Sequence, residues 1–146
     1  MAGLIVVAVD QLTGSREALR WAAGEARLRD ARLQAVMAWR APRPPAAPAA
    51  RPPAVSTLSV ADPQTEAEIR LTTVLEAALG ADHDAITSAV RGPTLAVLVD
   101  AAANADLLVL DPPHLTDVSR ARASLLAPQL IARVHCPVVI IPPRRP

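Results

Sequence analysis

Asp10 closes an apolar run near the start of the chain, and Asp111, His114 and Asp117 recur at intervals of three just after another. Carboxylates and an imidazole are oxygen and nitrogen donors of the kind that hold divalent cations. This set is therefore the first place to look for a metal. Its spacing matches no standard ligand pattern, and polar residues in the loop after a strand are commonly there for solvation alone. No metal site is expected. Nucleophilic chemistry is weaker still, because no GxSxG elbow is present. Ser15, Ser119 and Ser124 read as helix caps or loop polar groups. Cys136 lies between His135 and Pro137 at the mouth of an apolar run, and neighbouring side chains on a strand diverge, so Cys136 and His135 form no catalytic pair. Cys136 reads as a small buried hydrophobe, and His83 and His135 as surface or loop residues. The expectation is a protein without catalytic residues.

The elements that must position these residues come from five apolar runs separated by mostly helical periodicity. Leu4 to Val9 is β-branched and almost wholly apolar, the pattern of a strand buried on both faces. After Gly14-Ser15, Leu19, Ala22, Ala23 and Ala26 recur at helical spacing, with Glu25 and Arg29 paired at i, i+4 on the outer side. Leu33 to Trp39 reads as a second strand. The proline-rich stretch from Ala41 to Pro53 reads as an extended surface connection, and the chain stays uncommitted as far as Asp62. A PxxP ligand is the sharper reading of that stretch, and a plain loop the favoured one.

Asp62 then reads as an N-cap with Pro63 at the first helical position. Leu71, Val74, Leu75, Ala78 and Leu79 make one apolar stripe, which Gly80 ends. Ala85 to Val90 is a weaker strand. Gly92-Pro93 opens a third helix with Leu95, Leu98, Val99 and Ala102 inward, and Leu107 to Leu110 is a fourth strand. A helix from about Ser124 to Val134 keeps Pro128 near its first turn, where proline is tolerated. Val138 to Ile141 is the last strand. Alternating strands and helices predict a single α/β domain: a doubly wound five-stranded parallel sheet, order 3-2-1-4-5, with helices on both faces. Such sheets bind ligands beyond the carboxyl ends of the strands where the order reverses, so the residues leaving the first and fourth strands, Asp10 and Asp111, face the expected crevice.

Composition narrows the function. The 146 residues suit one domain. Hydrophobic residues make up 51%, yet there is no Phe or Tyr and only Trp21 and Trp39, so the core must be aliphatic. All 15 basic residues are Arg, set against 14 acidic ones, for a net charge of +1. That balance points to neither nucleic acid nor an acidic membrane as partner. The lack of lysine excludes Schiff-base chemistry, the phosphate-loop lysine and the phosphorelay receiver, which also needs an acidic pair where Gln11 follows Asp10. One cysteine makes no internal disulfide. The first apolar run has no basic residues before it and is broken by Asp10, so neither a signal peptide nor a membrane span is expected, and a cytoplasmic location is.

Ile5-Val6-Val7-Ala8-Val9-Asp10 followed by Gly14-Ser15-Arg16-Glu17-Ala18-Leu19-Arg20-Trp21-Ala22-Ala23 resembles the first strand and helix of the universal stress protein family. Ala105 to Leu110 resembles its fourth strand, and Cys136-Pro137-Val138-Val139-Ile140-Ile141-Pro142-Pro143 its last. The resemblance spans the chain except the segment from Ala41 to about Asp62. Family members that bind ATP carry Gly, two residues, Gly, nine residues, Gly, then Ser or Thr. Counted back from Cys136, those positions fall on Asp111, His114, Ser124 and Leu125, none of which has the family residue. A carboxylate ~4 Å from a phosphate charge costs about 1–4 kcal/mol between bulk water and a surface-like dielectric. Pro112 and Pro113 have no N–H to donate. The site thus reads as degenerate, with ATP disfavoured and no cofactor expected.

Asp10 matches the family aspartate near the adenine end of the pocket, although an acidic residue there also serves simply to cap the following loop. Two functions follow from the resemblance. One is a non-catalytic stress-response module acting through protein contacts. The other is a binder responsive to ATP, AMP or cyclic AMP that uses Asp10 and arginines such as Arg120 and Arg122 in place of the glycines. The resemblance also implies a homodimer joined through the last strand, with Val138, Val139, Ile140 and Ile141 at the interface, and an apolar edge strand is a pairing surface in its own right.

Overall fold

Odd and even positions of the first strand go to different layers. In the computed structural model, which describes residues 3–41, 62–111 and 126–142, strand β1 (Leu4–Ala8) sends Ile5 and Val7 to one face and Val6 to the other, all three fully buried. That is the period-two consequence of a pleated strand covered on both sides. β2 (Arg32–Trp39), β3 (Ile86–Arg91), β4 (Leu107–Leu110) and β5 (Val138–Ile140) complete one sheet of order β3-β2-β1-β4-β5. All pairings are parallel, with Ile5 opposite Leu33 on one side and Leu107 on the other. The predicted order and orientation are those observed.

Helix α1 (Arg16–Arg29) buries Ala18, Leu19, Ala22 and Ala26. Three alanines on one stripe bring its backbone close to the sheet, which is how a core without Phe or Tyr reaches normal density. The Glu25–Arg29 pair closes at 2.7 Å on the outer surface. Helix α2 (Pro63–Leu79) begins at the predicted proline and buries Leu71 and Leu75, together with Ala67, which the stripe did not include. Asp62 takes the N-cap position without a side-chain capping bond, and Gly80 ends the helix at φ 90°. α1 and α2 cover one face of the sheet.

The opposite face is covered by helix α3 (Thr94–Ala101) and helix α4, described over residues 126–133. α3 starts two residues later than the sequence predicts. Gly92 still ends the sheet ladder, its N–H donating to the Trp39 carbonyl at 2.9 Å, and Pro93 is extended in the N-cap position. α3 buries Val97 as well as Leu98. A short 3-10 turn (Ala102–Asn104) leads into β4, and α4 places Leu130 fully in the core. Pro128 is helical and exposed. β5 follows as an edge strand beside β4. The proline-rich residues 42–61, and the loop carrying His114, Asp117, Arg120, Arg122, Ser124 and Leu125, lie outside the described residues.

Candidate functional site

The sheet order reverses between β1 and β4, and the chain leaves both strands at the same end. There Asp10 to Leu12, after β1, and Asp111, after β4, border a half-open cleft of about 480 Å³. Its walls are Val36 and Ala38 of β2, Leu98 of α3, Leu126 and Ala127 of α4 and Ile140 of β5. A hollow of this size suits a small molecule, and it stands where parallel α/β sheets place their ligands.

Asp10 organises the first rim. Its Oδ1 accepts the Leu12 N–H at 2.7 Å and the Thr13 N–H at 3.3 Å, and its carbonyl accepts the Gly14 N–H at 2.9 Å. This is the loop-capping role open to a strand-end Asx residue. Gly14 has φ 74°, and a Cβ there would stand 3.4 Å from the Val74 side chain, so the turn both needs the left-handed region and runs close to α2.

Ser15 holds the N-cap position of α1 without capping it. At φ 47° and ψ 41° it is left-handed and buried, and its Oγ accepts the Asp10 N–H at 2.9 Å. An N-cap hydroxyl reaches the helix amides from β-region backbone angles. In the left-handed conformation this one turns back to the strand end instead, so of the two readings, helix cap or loop polar group, Ser15 takes the second.

Thr13 joins the two rims. Its Oγ1 accepts the Ser15 N–H at 3.1 Å and donates to Asp111 Oδ2 at 2.9 Å, a contact across 98 positions of chain. Gln11 braces the loop from the other side: its Nε2 donates to the Ala38 carbonyl at 2.9 Å, while its Oε1 accepts from Arg70 of α2 at 3.1 Å. Sequence reasoning placed Asp10 and Asp111 in the site, used Gln11 only to exclude a phosphorelay receiver, and did not single out Thr13. The one signal pointing to them was their position in the loop after β1.

Of the residues assigned to the family nucleotide site, the structure therefore brings Asp10 and Asp111 to one cleft. His114, Ser124 and Leu125 lie outside the described residues, as does Asp117 of the candidate metal set. Among the described residues, no three His, Cys, Asp or Glu side chains converge as metal ligands do. Cys136 is half-buried rather than buried, against the α3–α4 layer. Burial pushes its thiol above the ordinary value, and the Asp106 carboxylate adds to that against the lowering effect of a backbone hydrogen bond. His135 is exposed, and His83 is half-buried with an Nδ1 that meets no partner. Along β5, Val138 and Val139 are partly buried, and Ile140 is 46% exposed at the sheet edge. Ile141 packs on the α1–α2 layer. No helix among the described residues is long and apolar enough to cross a membrane.

The class is a small α/β domain: a doubly wound parallel sheet with a cleft at its switch point. The family model of the universal stress proteins matches residues 1–142, and the chain belongs to that family. Similar solved structures include a universal stress protein in complex with cAMP, at 22% identity over 96% of both chains with a TM-score of 0.63. UspA from Lactobacillus plantarum is 17% identical over 96% of this chain and 97% of its own, with a TM-score of 0.59. The universal stress protein from Archaeoglobus fulgidus in complex with dAMP is 19% identical over 96% and 98%, with a TM-score of 0.50. At such identities the likeness carries the fold. No curated protein matches the chain.

Proposed function

We propose that this chain is a non-catalytic, cytoplasmic universal stress protein that works as a homodimer through protein contacts and does not hold ATP in its switch-point cleft. The observation that carries this reading is the Asp111 carboxylate at the cleft rim, held by the Thr13 hydroxyl at 2.9 Å. A triphosphate brought there meets a like charge, and breaking the Thr13 bond to move that charge aside costs about 0.5–3 kcal/mol more. His114, Ser124 and Leu125 at the other signature positions, none of them the family residue, support the same reading. No described residue lining the cleft is cationic.

The second reading, a nucleotide-responsive binder, draws on two observations. The cleft has room for a nucleoside, and two similar structures hold cAMP and dAMP. Thermal unfolding with millimolar Mg-ATP, AMP or cyclic AMP separates the two. The first reading predicts a Tm that stays within error for all three. A saturable rise with any of them, reduced in Asp10→Asn, establishes the second and overturns the first. Asparagine retains an acceptor for the Leu12 and Thr13 amides, so that variant tests the charge rather than the loop.

A further inference from the structure

Helices α1 and α2 lie side by side on one face of the sheet, and their outer surfaces differ in sign. α1 has four arginines, all exposed, against two half-buried glutamates, a net +2. α2 has three glutamates, all exposed, against Arg70, which is bonded to Gln11, a net −2, and the exposed Asp82 and Asp84 follow it. Among the described residues no ion pair joins the two helices, and the side chains of Arg16, Arg27, Glu76 and Asp82 have no hydrogen-bond or ion-pair partner. Arg20 donates to the Ala78 carbonyl at 3.3 Å, and Arg27 and Asp82 border one hollow at the far end of the layer. The arginines of α1 thus stand level with Glu76 and Asp82. Gly24 lies opposite the buried stripe of α1, between Trp21 and Leu28, which are 38% and 85% exposed. A Cβ there would meet nothing within 4 Å. Glycine is a poor helix former, and at this open position it leaves room for another backbone to approach.

We propose that the α1–α2 layer is a second self-association surface, on which another copy of this chain sits face to face about a two-fold axis parallel to the helices. Both helices follow strands of one parallel sheet and run the same way. That axis therefore lays α1 of each copy over α2 of the other at unchanged height, arginine over carboxylate, and closes as a dimer. An axis across the helices would set like charge on like charge. The surface is distinct from the last-strand edge and goes beyond the homodimer proposed there. Polar and small in apolar area, it is the weaker contact and the one sensitive to salt.

Sedimentation velocity on the full chain tests it in an Ile140→Arg background, which is expected to remove the last-strand contact. At hundreds of micromolar in low salt the expected result is a reversible monomer–dimer equilibrium, weakened at least tenfold in molar NaCl. Arg16→Glu with Arg27→Glu, and separately Glu76→Arg with Asp82→Arg, should each weaken association at least tenfold while far-UV circular dichroism stays native. An equimolar mixture of the two should recover it, because each then offers the charge the other lacks. Gly24→Gln, a better helix former, should raise Tm yet weaken association several-fold. No association in low salt, association indifferent to salt, or a mixture no better than its components would overturn the inference. Should the charge variants fail to fold, full association of Gly24→Gln would do the same. A wild-type last-strand dimer that gains no mass at hundreds of micromolar defeats this inference alone. A wild type that is monomeric at tens of micromolar yet pairs at hundreds, with the same salt dependence, defeats the last-strand dimer alone.

Discussion

Ser15 occupies the left-handed region at φ 47°, where an L side chain is disfavoured by about 1–2 kcal/mol, and it is 1% exposed. The position tolerates this because its hydroxyl satisfies the Asp10 N–H at the point where β1 ends. Ser15→Ala keeps the disfavoured backbone and orphans that amide. It should lower stability by about 1–3 kcal/mol in urea titrations followed by circular dichroism. Ser15→Gly relieves the backbone and should fall between the alanine variant and the wild type. An alanine variant as stable as wild type would refute this account of the loop. The same residue marks a limit of sequence reading. A serine just before an amphipathic stretch reads as a cap, and the sequence carries no signal that φ is positive there.

The start of α2 was legible in Asp62-Pro63; what fastens it was not. Gln64 accepts the Trp39 indole N–H at 2.7 Å and donates to the Ala89 carbonyl at 2.8 Å and to Glu68 at 2.9 Å, so one amide clips the helix to β2 and β3. The Arg91 guanidinium lies 5.7 Å from the centre of the Trp39 ring on the same end of the sheet. Gln64→Ala leaves the indole and the carbonyl without partners and should destabilise the fold by about 1–3 kcal/mol. In a Trp21→Phe background the Trp39 emission should also shift as its hydrogen bond is lost. Unchanged emission and unchanged stability would show that the clip is ornamental. Gln64 could not be chosen from sequence because its partners lie 25 positions away on either side, and only the packed sheet brings them together.

At the scale of the whole molecule, β5 stands at the edge of the sheet and, among the described residues, pairs with β4, carrying the half-exposed Ile140. An edge of this kind is a template for a second copy unless it is covered or charged. The proposed homodimer should give twice the 15.3 kDa chain mass by light scattering at tens of micromolar. Ile140→Arg should return it to the monomer with its circular dichroism intact. A monomeric wild type under those conditions would refute the dimer, and a dimeric Ile140→Arg would move the interface elsewhere.

The number of strands, their parallel direction and the aliphatic nature of the core were legible in the sequence, because they follow from local periodicity and composition. The order 3-2-1-4-5 was an expectation for alternating strands and helices that the structure bears out. Five apolar runs alternating with amphipathic helices leave few arrangements other than a parallel sheet covered on both faces. The bonds at the cleft were decided only in three dimensions. Thr13 meets Asp111 across 98 residues, and Gln11 meets Ala38 and Arg70 across 27 and 59. Contacts between residues that far apart depend on register and loop path, which no short-range pattern of residue types encodes.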